Sequence, residues 1–270
     1  MSTADVEASW TICAQMLPFD PSIDNKGVSG MVTAIVTGAA RGIGASVAAA
    51  LEASGLQVGA LDLDPAVESL SGPNMLGVVC DVGQADTLAQ AVATVAERFD
   101  PPTVGVANAG VQRDARIERM GLADWDQVIR VDLTAGFLLT RTIWPAMVAA
   151  GSGRMVYLSS IAKDGNFGQA NYAAAKAGLV GLARTVAIEG GPAGVTANVI
   201  CPGVIDTPGT AEFRRRAPGA YERFINGVPA RRAGTPSDVA GVVEFLCSAA
   251  AAYVSGQTIY VDGGLSCGHT

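Results

Sequence analysis

From residue 31 onward the chain alternates short, almost unbroken apolar runs with longer stretches of helical periodicity. The runs are MVTAIVT (31–37), QVGALDL (57–63), MLGVVCDV (75–82), TVGVANAG (103–110), GRMVYLSS (153–160), VTANVIC (195–201) and QTIYVDGG (257–264). Between them, RGIGASVAAALEAS (41–54), TLAQAVATVAERF (87–99), residues 124–150 and residues 170–190 carry apolar side chains at helical spacing. An apolar run with little polar alternation suits a strand covered on both faces, and the intervening helices supply the cover. The pattern predicts an α/β architecture: a doubly wound Rossmann fold of about seven parallel strands with helices on both faces. Pro145, inside the 124–150 pattern, marks an expected bend.

Residues 1–30 break this rhythm. They hold Trp10, Cys13, Pro18 and Pro21, then the polar, glycine-containing DNKGVSG. A basic start followed by an apolar core is missing, so they read as an extension, a candidate for partial disorder, rather than a secretory signal. With no internal repeat and no low-complexity linker beyond residue 30, residues 31–270 read as a single domain.

Composition narrows the chemistry. Eighteen basic against 25 acidic residues give a net charge of -7, poorly suited to general binding of nucleic acid or an anionic membrane. The five cysteines are scattered, odd in number and without a C-x-x-C pair, so a disulfide framework or zinc site is not expected and a reducing, cytoplasmic compartment is. The longest apolar stretches, 133–150 and 239–254, are interrupted by Arg141 and Glu244, so no membrane span is predicted. The only histidine is His269, which argues against Ser-His-Asp and Cys-His hydrolases and histidine-based metal sites. Acid–base chemistry must then fall to tyrosine, lysine, cysteine or carboxylates.

The first strand runs into TGAARGIG, with Gly38, Gly42 and Gly44 around the start of a helix. There Gly38 permits a tight turn, Gly42 lets backbone approach a pyrophosphate, and Gly44 allows helix to pack closely on strand. Arg41 and Ile43 lie inside the same turn. Asp62, about 20 residues on, ends the second strand, where a carboxylate accepts ribose hydroxyls and repels a 2′-phosphate. NAD is therefore favoured, with Arg41 keeping NADP open. Asp81 and Val82 end the third run, where the adenine is expected, and Asn108, Ala109 and Gly110 end the fourth. Farther along, QANYAAAKAG sets Tyr172 and Lys176 one helical turn apart with only alanines between, so phenol and ammonium share a face that something large can approach.

TGAARGIG, CDV, NAG, YLSS, YAAAK, CPGVIDT and SGQTIYVDGG, in that order, resemble the short-chain dehydrogenase/reductase family from about Val32 to Gly264. The resemblance implies hydride transfer between a nicotinamide cofactor and a secondary alcohol or ketone. Tyr172 is implied as the general acid or base, Lys176 as the cation that tunes it and binds the nicotinamide ribose, and a serine as the group that holds the substrate oxygen. A free phenol titrates near 10, and an adjacent ammonium with the oxidised nicotinamide ring favours phenolate. Ser160 takes the family position, although the loop to Tyr172 is one residue short; Ser159 fits the spacing but should face the other way. The family's asparagine in the long helix is replaced by Asp132, whose charge is expected to offset Lys176 and move the alkaline limb of activity upward. Pro202, Gly203, Ile205 and Thr207 are implied to meet the nicotinamide amide. Specificity is expected from a lid at about 208–232, where six arginines face two glutamates. That excess suits either an anionic, carrier-linked 3-oxoacyl substrate reduced with NADPH or a solvated lid. A cofactor-binding regulator without turnover is the remaining alternative. A homotetramer or homodimer through the two long helices completes the implied picture.

Overall fold

A computed structural model of the chain describes residues 31–267; the extension expected over residues 1–30 and the histidine at 269 lie outside them. Seven strands form one parallel sheet: β1 (Thr33–Thr37), β2 (Gln57–Asp62), β3 (Met75–Val79), β4 (Val104–Ala107), β5 (Gly153–Leu158), β6 (Val195–Pro202) and β7 (Thr258–Val261). Their order is β3-β2-β1-β4-β5-β6-β7, and every pairing is parallel. The eight α-helices of the described residues are α1 (Gly42–Ala53), α2 (Ala85–Arg98), α3 (Leu122–Ile129), α4 (Ala135–Ala150), α5 (Ala170–Gly190), α6 (Pro208–Arg216), α7 (Pro218–Gly227) and α8 (Pro236–Cys247).

The apolar runs are two-sided, and the two sides make two cores. One packs Ile35, Leu61, Met155 and Val199 against Leu88 and Val95 of α2, Leu139 and Ile143 of α4, and Leu179 of α5. The other packs Val36, Val58, Val106 and Ile200 against Val47 and Leu51 of α1 and Val239, Val243 and Leu246 of α8. Successive strand residues point to opposite faces, so one apolar run feeds both.

Three features differ from the sequence expectation. The third strand stops at Val79, leaving Cys80, Asp81 and Val82 in the turn beyond it. The helical run 122–150 departs from α geometry at a π-helical turn, Arg130–Thr134, while Pro145 sits inside α4. A π turn widens the helix by one residue and lets side chains leave it in new directions, as is common at functional sites. Helix α8 had no counterpart in the periodicity reading, although Thr235-Pro-Ser-Asp238 forms a capping box at its start, a signal legible in sequence. The run Leu122–Ala150 has the length and apolar character of a membrane span. Its apolar face is instead spent on the sheet through Leu139, Ile143 and Met147, and it carries the buried carboxylate of Asp132.

Candidate active site

The sheet order reverses between β1 and β4, which opens a crevice at their carboxyl ends. Asn108, just past β4, closes its floor: its Nδ2 donates to the carbonyls of Thr37 (2.9 Å) and Gly38 (3.0 Å). The Thr37 hydroxyl in turn accepts from the amides of Asn108 (3.0 Å) and Ala109 (3.1 Å). A Cβ on Gly44 would stand 2.5 Å from Asn108 Nδ2 and closer still to the Gly38 carbonyl, so only glycine fits there. Gly38 and Gly42 both have positive φ, 67° and 60°, and the space before Gly42 is open up to the Thr207 methyl at 3.6 Å.

Helix α1 begins beside this turn with no side-chain cap and no acidic residue in its first turn. Its leading N–H groups therefore suit an anion such as a pyrophosphate, with the Arg41 and Ile43 backbone beside them. At the end of β2, Asp62 is fixed by two amides: Oδ2 accepts from Ala40 (2.9 Å) and Oδ1 from Asp64 (2.9 Å). Arg41 leans on Asp64 at 3.5 Å, an exposed pair. Asp81 accepts from the Gly83 amide (2.9 Å) and from Arg130 Nη1 at 3.1 Å on both carboxylate oxygens. Arg130 was not anticipated: within a helical pattern it reads as a solvent-facing charge.

At the other end of the crevice α5 presents Tyr172, half-buried, and Lys176, which is 3% exposed. Lys176 Nζ donates to the Leu158 carbonyl (2.9 Å), stands 3.2 Å from Asp132 Oδ2, and lies 5.3 Å from the centre of the Tyr172 ring. Asp132 sits in the π turn, and its Oδ1 accepts from the Val111 amide (2.8 Å). Burial pushes the Asp132 carboxyl above the usual carboxylate range, against the pull of Lys176. Burial works against the Lys176 ammonium too, but Asp132 alongside it, with Tyr172, lifts its pKa above the ordinary lysine value. Gly110 makes this packing possible, since a Cβ there would lie 2.7 Å from Asp132 Oδ2 and 3.4 Å from Lys176 Nζ.

The two serines after β5 separate as strand alternation requires. Ser159 is buried and donates to the Lys176 carbonyl (2.8 Å). Ser160 is half-exposed, and its Oγ accepts from the Ala162 amide (3.1 Å) at the head of a 3-10 turn, Ile161–Asp164. The shortened loop to Tyr172 is completed through Gly165 and Gly168, both at positive φ. Asn171, also unanticipated, is fully buried. Its Nδ2 donates to the carbonyls of Arg113 (3.0 Å) and Asp124 (3.3 Å), and its Oδ1 accepts from the Tyr172 amide (2.8 Å). The bonds to Arg113 and Asp124 tie the first turn of α5 to the loop that follows Gly110 and to α3.

Past β6, Pro202 ends the strand and Gly203 packs against Asp262, 2.8 Å from where a Cβ would be. Ile205 is buried and bridges to Gly234. Thr207 caps α6 in a capping box with Thr210, and its methyl faces Gly42. The segment expected to act as a lid, residues 208–232, folds as the helix pair α6–α7 and the turn that follows it. Its arginines are largely occupied: Arg215 and Arg216 pair with Glu212, Arg232 pairs with Asp238, and Arg214 stacks on Tyr221.

The chain has relatives among known proteins. Residues 38–266 match the family model described as enoyl-(acyl carrier protein) reductase. The chain is 41% identical over 236 residues to 3-oxoacyl-[acyl-carrier-protein] reductase MabA of Mycobacterium tuberculosis, covering 87% of this chain and 93% of the relative. A structure assigned as an NAD(P)-dependent gluconate 5-dehydrogenase of Beutenbergia cavernae, with NADP at low occupancy, superposes with a TM-score of 0.83 at 35% identity, covering 88% of this chain and 98% of the other. A variant of actinorhodin polyketide ketoreductase with NADPH superposes equally well, with a TM-score of 0.83 at 32% identity over 87% and 97% of the two chains.

Proposed function

The chain belongs to the short-chain dehydrogenase/reductase family and is an oxidoreductase acting on CH–OH groups with a nicotinamide cofactor; on that premise we propose that Tyr172, Ser160 and Lys176 interconvert a secondary alcohol and a ketone. The observation that carries this is the pinned ammonium of Lys176, held by Leu158 and Asp132 one helical turn from the Tyr172 phenol. When bound, the nicotinamide ring supplies or accepts the hydride. The protein's part is to hold and move a proton. Ser160 donates a hydrogen bond to the substrate oxygen. The Tyr172 hydroxyl gives its proton to that oxygen in reduction and takes it back in oxidation. Lys176 stabilises the phenolate left behind, and Asp132 holds the lysine in place while moderating its charge.

The residues present fit a dinucleotide. The uncapped start of α1 and the open face of Gly42 suit the pyrophosphate, and Asp62, Asp81, Asn108, Ala109 and Gly110 line the adenosine side and floor. The backbone from Pro202 to Thr207 suits the nicotinamide amide. NAD is the preferred cofactor in this reading, because the fixed Asp62 carboxylate opposes a 2′-phosphate. The NADP and NADPH named in the two similar structures make the ratio of kcat/KM with NADH and NADPH the direct test. A 3-oxoacyl thioester on a carrier is the second substrate reading, favoured by the relative's name; the paired arginines of the lid favour a neutral ketone.

The subunit contacts fall on the outer faces of α4 and α5, where Phe137, Val148 and Ile188 are exposed, giving a homodimer or homotetramer. A cytoplasmic setting belongs to this reading, because the five cysteines of the sequence are scattered and odd in number. A panel of ketones, alcohols and 3-oxoacyl thioesters, assayed with both cofactors, identifies the substrate. Tyr172→Phe should then abolish turnover while leaving dinucleotide affinity intact; retained turnover would remove the proposed role.

A further inference from the structure

The π turn sends two side chains, two residues apart, to different parts of the crevice. Asp132 reaches Lys176 at the nicotinamide end, whereas Arg130 reaches Asp81 past the end of β3. Both oxygens of Asp81 accept from Arg130 Nη1 at 3.1 Å, and Oδ1 also accepts from the Gly83 amide. The Asp81 backbone is pinned as well, its carbonyl accepting from the Thr87 hydroxyl at 2.6 Å. Gly83 is what lets the arginine lie across this turn: a Cβ there would meet Arg130 Cζ at 3.0 Å and Cγ at 3.1 Å.

We propose that Arg130 is a positioning residue for the adenosine half of the cofactor, fixing the Asp81 carboxylate to accept from the adenine amino group. This inference rests on the dinucleotide reading above. A lone aspartate on a turn can rotate, and its charge adds to that of Asp62 beside a ligand whose pyrophosphate is anionic. Arg130 removes both problems at once. It restricts the carboxylate to one orientation and offsets its charge, while the oxygens keep lone pairs for one more donor. The pair is about one-third exposed, at 36% and 31% of the side chains, so its effect on affinity is modest.

The test compares binding of NADH with that of reduced nicotinamide mononucleotide, which lacks the adenosine half, by fluorescence titration. Arg130→Ala should weaken NADH by about fivefold and leave the mononucleotide unchanged. Arg130→Lys should recover part of the loss. In an Asp81→Ala background, Arg130→Ala should cost little more, because the carboxylate it positions is gone. Unchanged NADH affinity in Arg130→Ala, or equal weakening of both ligands, overturns the inference. A wild-type chain that binds neither NADH nor NADPH overturns the dinucleotide reading and this inference together, a result distinct from failure of the variants alone.

Discussion

Asp132→Asn removes one charge from the site. The two side chains have nearly the same shape, and asparagine Oδ1 can still accept from the Val111 amide, so the carboxylate charge and the Lys176 acceptor at Oδ2 are lost together. At an effective dielectric of about 20, an ammonium and an anion about 5 Å apart attract by about 3 kcal/mol, and Lys176 Nζ lies 5.3 Å from the centre of the Tyr172 ring. A carboxylate 3.2 Å from that ammonium, even directly behind it, takes back about 2 kcal/mol. Solvent at the half-buried phenol screens both terms, so the net gain from removing the carboxylate is about 1 kcal/mol. Alcohol oxidation needs the phenolate, so the rising limb of kcat/KM against pH should move to lower pH in Asp132→Asn. The opposite side of the profile should move too. Asp132 is the foremost of the groups that raise Lys176 against its burial; without it the ammonium is lost at lower pH, and the plateau narrows from the alkaline side. The assay is the pH dependence of alcohol oxidation at saturating cofactor, with circular dichroism at each pH to confirm folding. Profiles that superimpose for parent and variant would refute the reasoning.

Other substitutions probe the remaining parts of the site. Ser160→Ala should lower kcat about 100-fold by removing a donor to the substrate oxygen, whereas Ser159→Ala should leave kcat near the parent value and cost about 1 kcal/mol in urea unfolding. Equal losses of kcat in both would reassign the serine. Asn171→Ala leaves two carbonyls and one amide without their partner and should destabilise by about 3 kcal/mol, read as a lower denaturation midpoint. Gly44→Ala drives a methyl into the Gly38 carbonyl and Asn108, so dinucleotide affinity and Tm should fall together; a variant with parental affinity would show that the turn relaxes freely.

Sequence and structure agree where the cause is local. The buried-strand pattern carries all seven strands because burial on both faces selects for apolar positions, most strictly in the central strands. The Tyr172–Lys176 face follows from helical spacing alone. Misplacements arise where distant partners decide. MLGVVCDV looks continuous, yet Cys80 to Val82 leave the sheet, since β3 is an edge strand whose pairing with β2 ends at Val79. Pro145, the residue with a known local cost, lies inside α4, and the run departs from α geometry at Arg130–Thr134, where no local signal marks it. The lid's arginine excess loses weight once Glu212 and Asp238 are seen to pair with it.

The order of covered strands and helices, the glycine turn at Thr37–Gly44 and the phenol–ammonium pairing on α5 were written in the chain itself, because periodicity and backbone sterics act over a few residues. Folding alone decided that Arg130 would reach Asp81, 49 positions away, and that Ser159 would serve Lys176 while Ser160 stayed half-exposed. It likewise decided that Asp132 would be sealed against that lysine. Side-chain charge and reach are properties of residues, but what a charge does depends on the burial and neighbours that long-range packing supplies.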